Sequence, residues 1–118
     1  MGPVTPILRS FDEAKAREFY IDWLGFAVVF EHRFEPTLPL YMGIKRGDCV
    51  LHLSEHHGDG SPGAHVRILC PDLEAFHAEI SAKNYKNGRP GLVDQDWGAR
   101  EMMVHDPVGN VLVFYRDL

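Results

Sequence analysis

The sequence has no apolar run of the roughly 18 residues or more that a membrane span needs, and its first residues, Met1-Gly2-Pro3-Val4-Thr5-Pro6, carry neither a basic stretch nor an apolar one. Neither a membrane span nor a secretory leader is expected. Basic charge is also short: 17 acidic side chains stand against 12 basic ones, a formal net charge of −5. Nucleic acid and anionic lipid are poor partners for such a chain, whereas a cationic or neutral ligand suits it. Cysteine is scarce too. Cys49 and Cys70 fall in different segments with no CxxC spacing, which argues against a disulfide scaffold and against a thiolate zinc site. Two buried thiols in a reduced cytoplasm is the reading that remains. No phosphate-cradling glycine loop follows a strand, and no Ser-His-Asp or Cys-His arrangement sits in a known local motif.

What is present suits one globular domain, 45% apolar and 25% charged over 118 residues, with no composition break to mark a linker. Its pattern repeats. Val4 to Arg9 is extended and leads through Asp12 to Ala16, Phe19, Tyr20 and Trp23, the i, i+3, i+4, i+7 stripe of an amphipathic helix. Asp12 stands where an N-cap belongs and Gly25 where the helix ends. From Phe26 to Phe34 the period falls to two, which predicts a strand with Phe26, Val28, Phe30, His32 and Phe34 on one face and Glu31, Arg33 and Glu35 on the other. Leu38 to Lys45 and Cys49 to Ser54 are two more strands around an Arg46-Gly47-Asp48 turn, and 55–63 is a polar loop.

The order then restarts. His65 to Leu69 is extended, and Pro71-Asp72 caps a helix whose stripe is Leu73, Phe76, His77 and Ile80, with Asn87-Gly88 after its end. Gly91 to Gln95, Arg100 to His105 and Asn110 to Arg116 are strands, the last two joined by Asp106-Pro107-Val108-Gly109-Asn110, type I turn chemistry. The chain therefore reads as one α+β domain over 1–118 made of two βαβββ modules, about 1–60 and 61–118. Each module is too small to bury its own sheet face, so the sheets are expected to join around a shared concavity. A ligand belongs in that cup.

These residues resemble a known group. Asp12 to Gly25 with Phe19-Tyr20 and Leu24-Gly25-Phe26, then Pro71-Asp72-Leu73-Glu74-Ala75-Phe76, then Asp106-Pro107-Val108-Gly109-Asn110 are similar to the motifs of the glyoxalase, bleomycin-resistance and extradiol-dioxygenase (vicinal oxygen chelate) superfamily. The match runs in order over nearly the whole chain. The resemblance implies the paired βαβββ fold and leaves the activity open, since the group holds lyases, isomerases, transferases, oxygenases and non-catalytic drug binders. In its enzymes the resemblance implies metal ligands on the first and last strands of each module. Thr5 stands at the first such position and is a poor ligand; His52 lies near the second, His65 matches the third, and Val113 at the fourth cannot coordinate. A catalytic divalent site needs about three protein ligands and an open position. No cofactor is therefore expected, and a divalent metal on His52 and His65, in a metal-dependent lyase or dioxygenase, is the alternative.

The bleomycin-resistance branch is similar in more detail. Asp96-Trp97-Gly98-Ala99-Arg100-Glu101 matches its Trp-Gly pair followed by an acidic residue, and Pro3 and Pro6 match its proline-bearing first strand. What the resemblance implies is a cytoplasmic homodimer that sequesters a cationic aromatic glycopeptide of the bleomycin type at clefts between subunits, without chemistry. Aromatic walls stack the drug's rings and acidic surface attracts its tail. On that reading the ligand-binding residues are Phe34, His52, His65, Trp97, Gly98 and Arg100, while Trp23 closes the first helix stripe and belongs to the core. Each has a plainer alternative. Trp97 and Phe34 also suit packing, and Arg100 with Glu101 also suits a surface pair. Of the seven histidines, His52 and His65 suit hydrogen bonding in the cup, His56 and His57 the solvated loop, and His32, His77 and His105 structural roles. An off-pattern site of His52, His56 and His65 and a binder of another metabolite both stay open.

Overall fold

The computed structural model describes residues 1–118 and carries the repeat through in three dimensions. The first module is β1 (Ile7–Arg9), α1 (Glu13–Arg17), β2 (Ala27–His32), β3 (Tyr41–Arg46) and β4 (Cys49–Ser54). The second is β5 (His65–Leu69), α2 (Leu73–Ser81), β6 (Val93–Asp94), β7 (Ala99–His105) and β8 (Val111–Asp117). Each module makes a four-stranded mixed sheet of the same topology, β1-β4-β3-β2 and β5-β8-β7-β6, in which the first and last strands pair in parallel. The fold is the expected α+β pair of βαβββ modules. The two sheets remain separate hydrogen-bonded units, however, and do not merge into one.

Local chemistry explains the helices. The Asp12 carboxylate accepts from the Lys15 amide at 3.1 Å, a side-chain N-cap. Past Arg17 the helix widens into a π-helical segment (Glu18–Trp23), with Leu24 N bonded to Phe19 O, and it stops at Gly25, where φ is +77°. The widened turn buries Phe19, Tyr20 and Trp23 together. In the second module Asp72 occupies the N-cap position without capping: its carboxylate accepts from Cys70 Sγ at 3.5 Å and bonds no helix amide. Four strands are shorter than their sequence pattern: β1 begins at Ile7 and not Val4, β2 runs from Ala27 to His32 and not from Phe26 to Phe34, and β3 and β6 are trimmed as well. Pro39 lacks the N–H that would let β3 begin at Leu38, and only Val93 and Asp94 of the 91–95 stretch pair with β7.

The core is continuous across the modules. Leu8, Tyr20, Trp23, Met42, Ile44 and Leu53 from the first pack in one cluster with Leu73, Phe76, Ile80, Met102, Leu112 and Phe114 from the second. Buried polar bonds tie the halves as well. Tyr20 Oη donates to Asp106 Oδ2 at 2.7 Å, Trp23 Nε1 to Ile80 O at 3.0 Å, and Asn110 Nδ2 to Arg9 O at 2.9 Å. Burial and the Asp106 charge push the Tyr20 phenol far above its ordinary range, so it stays a donor. Neither module therefore satisfies its own buried groups alone.

One irregularity decides which side chains reach the site. The β2–β3 ladder shifts register between Val28 and Phe30, leaving Val29 as a bulge. Val28 lies opposite buried Ile44, whereas Phe30 lies opposite Gly43 and His32 opposite Tyr41. The single apolar face expected from Phe26 to Phe34 is thus split. Phe26 and Val28 pack on the core side, and Phe30 and His32 turn to the other face.

Candidate functional site

Both sheets keep one face on the core and leave the other open. On the first sheet Leu8, Met42, Ile44, Leu51 and Leu53 are buried, so their alternating neighbours form the open face. Two cross-sheet rows follow from the register: Ile7, His52, Gly43 and Phe30, and beside it Arg9, Ser54, Tyr41 and His32. Gly43 is where the Phe30 ring lies down, since a Cβ there would run into the ring. Phe30 stacks with Tyr41 (centroids 6.1 Å, planes 12° apart) and meets His52 edge-on at 5.2 Å. Tyr41 Oη is 2.7 Å from His52 Nδ1. Burial, and then the charge of Asp59, raises the Tyr41 pKa, and the bond between the two side chains fixes the orientation of the imidazole. Phe34, 73% exposed just beyond β2, meets His32 edge-on at 4.7 Å and His56 at 6.2 Å.

The open face of the second sheet carries His65, Arg67 and Leu69 of β5, Val111, Val113 and Tyr115 of β8, and Met103 and Glu101 of β7. Arg67 Nη1 pairs with Glu101 Oε2 at 2.6 Å and its guanidinium lies 4.3 Å from the Tyr115 ring centroid. The Glu101 side chain is only 8% exposed and also accepts from Gln95 Nε2 at 3.3 Å. This Arg67–Glu101–Tyr115 group is absent from the sequence expectation. Its signal was the period of two: counted along β7, Glu101 shares a face with Met103, and Arg100 does not.

The six residues expected to bind ligand are therefore placed in four locations. His52 is on the open face of the first sheet, and Phe34 stands at its edge. His65 begins β5 on the second. Trp97, 69% exposed, and Gly98 (φ +88°) form the β6–β7 turn. Six ladder positions of β8, from Val111 opposite His65 to Asp117 opposite Ala99, put that turn about 20 Å from His65 at ~3.3 Å per residue. Arg100 is a correction in position: it projects to the helix side, where Nε bonds Asp94 at 2.6 Å and Nη1 bonds Glu74 at 3.1 Å. The hydrogen bonds to Asp94 and then Glu74 hold its pKa above the ordinary arginine value, and those carboxylates titrate below theirs. Its guanidinium is committed to those partners.

A groove of about 710 Å³ opens between the β3–β4 turn and β5, lined by Phe26, Cys49, Ile68, Cys70 and Phe76 among others, and none of the six expected residues borders it. Burial raises both thiols, Cys70 to about 11 with help from Asp72, so neither is an activated nucleophile at neutral pH. No three side chains of His, Cys, Asp or Glu come together as a metal cage in the chain. His52 and His65 stand on different sheets, and Thr5 and Val113 add no donor of the kind a divalent ion takes. The residues present do not fit such an ion within one chain. Protein purified without chelator should carry zinc, manganese and iron far below one per chain. A stoichiometric metal that disappears in His65→Ala would contradict this.

A paired βαβββ fold with two open, aromatic-bearing sheet faces defines a class of scaffold rather than one activity. A family model described as glyoxalase superfamily protein matches residues 2–117, and the chain belongs to that superfamily. Among solved structures it is similar to a bleomycin-binding protein complexed with bleomycin, at 25% identity over 100% of both chains with a TM-score of 0.76. The bleomycin resistance determinant encoded on transposon Tn5 is 25% identical over 99% of this chain and 98% of that one, TM-score 0.76. The bleomycin-binding protein from bleomycin-producing Streptomyces verticillus, complexed with copper(II)-bleomycin, is 28% identical over 97% and 94%, TM-score 0.68. No curated protein matches the chain.

Proposed function

We propose that this protein is a homodimeric binding protein that sequesters a cationic aromatic ligand of the bleomycin type in the cytoplasm, without transforming it. The observation that carries the reading is the pair of open faces. Phe30, Phe34, Leu69, Met103 and Trp97 are all exposed large apolar side chains, and they stand on or beside faces that one chain does not cover. Exposed large apolar side chains gathered on an uncovered sheet face mark a surface for a partner or ligand. Setting the first sheet of one protomer against the second sheet of its partner would bring the Phe30–Phe34 wall within reach of the partner's Trp97 turn and give two equivalent clefts.

The physics of such a cleft is stacking plus charge. Flat rings of the ligand lie between Phe34 and Trp97, each such contact being worth about 0.5–1.5 kcal/mol beyond its buried area. The His52 ring, held by the Tyr41 bond at Nδ1, offers Nε2 as one oriented polar atom. The net charge of −5 draws a cationic tail toward the protein. The similarity to two bleomycin-binding proteins solved with bleomycin supports the ligand class.

The two tryptophans differ in a way that makes the test simple: Trp97 is exposed and Trp23 is buried in the core. Bleomycin at micromolar concentration should change tryptophan fluorescence saturably, and Trp97→Phe should remove most of that change while retaining binding weakened about tenfold. An emission spectrum indifferent to bleomycin would sink the named ligand.

A further inference from the structure

We infer that Arg9 anchors a second, acidic element of recognition, a site for the carboxylate of an aromatic ligand at the β1 end of the first open face. Arg9 follows buried Leu8 on β1 and pairs with Ser54 on β4, so its side chain leaves the sheet on the open side. It is only 8% exposed. Its guanidinium makes no salt bridge and no side-chain hydrogen bond, and Nη1 is buried without any partner. The Phe11 ring lies against it, its centroid 4.8 Å from Cζ.

The contrast within the chain is sharp. Arg17, Arg33, Arg46, Arg67, Arg100 and Arg116 each hold a carboxylate, and Arg89 is exposed. A buried guanidinium without an acceptor is costly, and such groups persist where something supplies the missing charge. Neither Asp59, beside Ser54, nor Asp106, beside Asn110, pairs with Arg9. Asp59 accepts from Ser54 Oγ at 2.9 Å. Asp106 accepts from Tyr20, Asn110 and the amides of Val108 and Asn110. An acceptor supplied from outside the chain would complete the pairing that the fold leaves open.

The surroundings select its chemistry. A planar guanidinium matches the two oxygens of a carboxylate in a bidentate pair. Phe11 is exposed with its ring against the guanidinium and Tyr41 lies in the same cross-sheet row as Arg9, so the body attached to that carboxylate meets aromatic surface. The inference rests on the proposal that this face receives the ligand, yet it names an acidic group that a cationic glycopeptide does not require.

Thermal unfolding of the wild-type protein, Arg9→Met and Arg9→Lys in sodium benzoate, sodium phosphate and sodium chloride at equal ionic strength tests it. Benzoate should raise the wild-type Tm by several degrees over chloride, saturably, as a ligand specific for the folded state does, and phosphate should do less. Arg9→Met should unfold in chloride at or above the wild-type Tm, because it removes an uncompensated charge, and should lose the benzoate response. Arg9→Lys should need about tenfold more benzoate for the same shift. A wild-type Tm no higher in benzoate than in chloride overturns the proposal, as does a phosphate response equal to that of benzoate. A lower Tm for Arg9→Met in chloride also overturns it, since it shows that Arg9 is already satisfied, by a partner subunit's carboxylate for example. No glycopeptide enters this experiment, so its failure leaves the bleomycin reading standing, and a failed bleomycin titration leaves the benzoate result intact.

Discussion

Asn110→Ala should lower the free energy of unfolding by roughly 2–5 kcal/mol, the expected cost of leaving two groups unpaired at ~1–3 kcal/mol each, discounted for relaxation. Asn110 is fully buried. Its Nδ2 donates to Arg9 O of the first module and to Asp106 Oδ2 at 2.9 Å each, and its Oδ1 accepts from the Ala64 amide at 3.2 Å. Removing the amide leaves Arg9 O and the part-buried Ala64 amide without this partner at the junction where the modules meet, while Asp106 Oδ2 keeps its bond from Tyr20 Oη. Urea unfolding followed by circular dichroism reads the loss directly, and a change within ~0.5 kcal/mol, the usual range for surface substitutions, would show that the modules do not depend on this bond.

Met103→Glu should dissociate the protein into monomers and abolish ligand binding together. Met103 is 47% exposed, in the middle of β7 on the open face of the second sheet opposite Val113, so the folded chain tolerates a carboxylate there. A dimer that covers this face does not. Burying an unpaired charge at an interface costs several kcal/mol, which weakens dimerisation on the order of 100-fold or more. Sedimentation should then give a mass near the chain's own 13.4 kDa, against about twice that for the wild type. A variant that stays dimeric would place the subunit contact elsewhere and take the proposed cleft with it.

Much of the architecture was legible because it rests on local rules. The 16-19-20-23 stripe, the Asp12 cap and Gly25 specify the first helix segment and its end, and the restart at His65 is carried by alternation that β5 keeps. Trp23 was readable as core for the same reason, and it is buried with its Nε1–H on Ile80 O. The failures are of a different kind. The bulge at Val29 is a pairing irregularity that depends on β3, and no period within β2 signals it. Asp72 has the right residue type for a cap, but a neighbouring thiol holds its carboxylate.

The site was less legible because faces and partners, not residue types, decide it. Arg100 and Glu101 are adjacent and equally polar, and one step along β7 sends the first to Glu74 and the second to Arg67. Counting parity from Met103 would have separated them. Nothing in the sequence marks Arg9, since an arginine between Leu8 and Ser10 reads as an ordinary solvated edge until the fold buries it. The Asp106–Asn110 segment reads correctly as a turn, but its service to Arg9 and Tyr20 depends on contacts with residues about a hundred positions away.

The most direct measurement of the central claim is a calorimetric titration of the wild-type protein with bleomycin at low ionic strength. One saturable site per chain with a micromolar or tighter Kd, weakening as salt screens the attraction to the acidic protein, is the result expected. Heat indistinguishable from dilution up to millimolar ligand would contradict the proposed function, whatever the state of assembly.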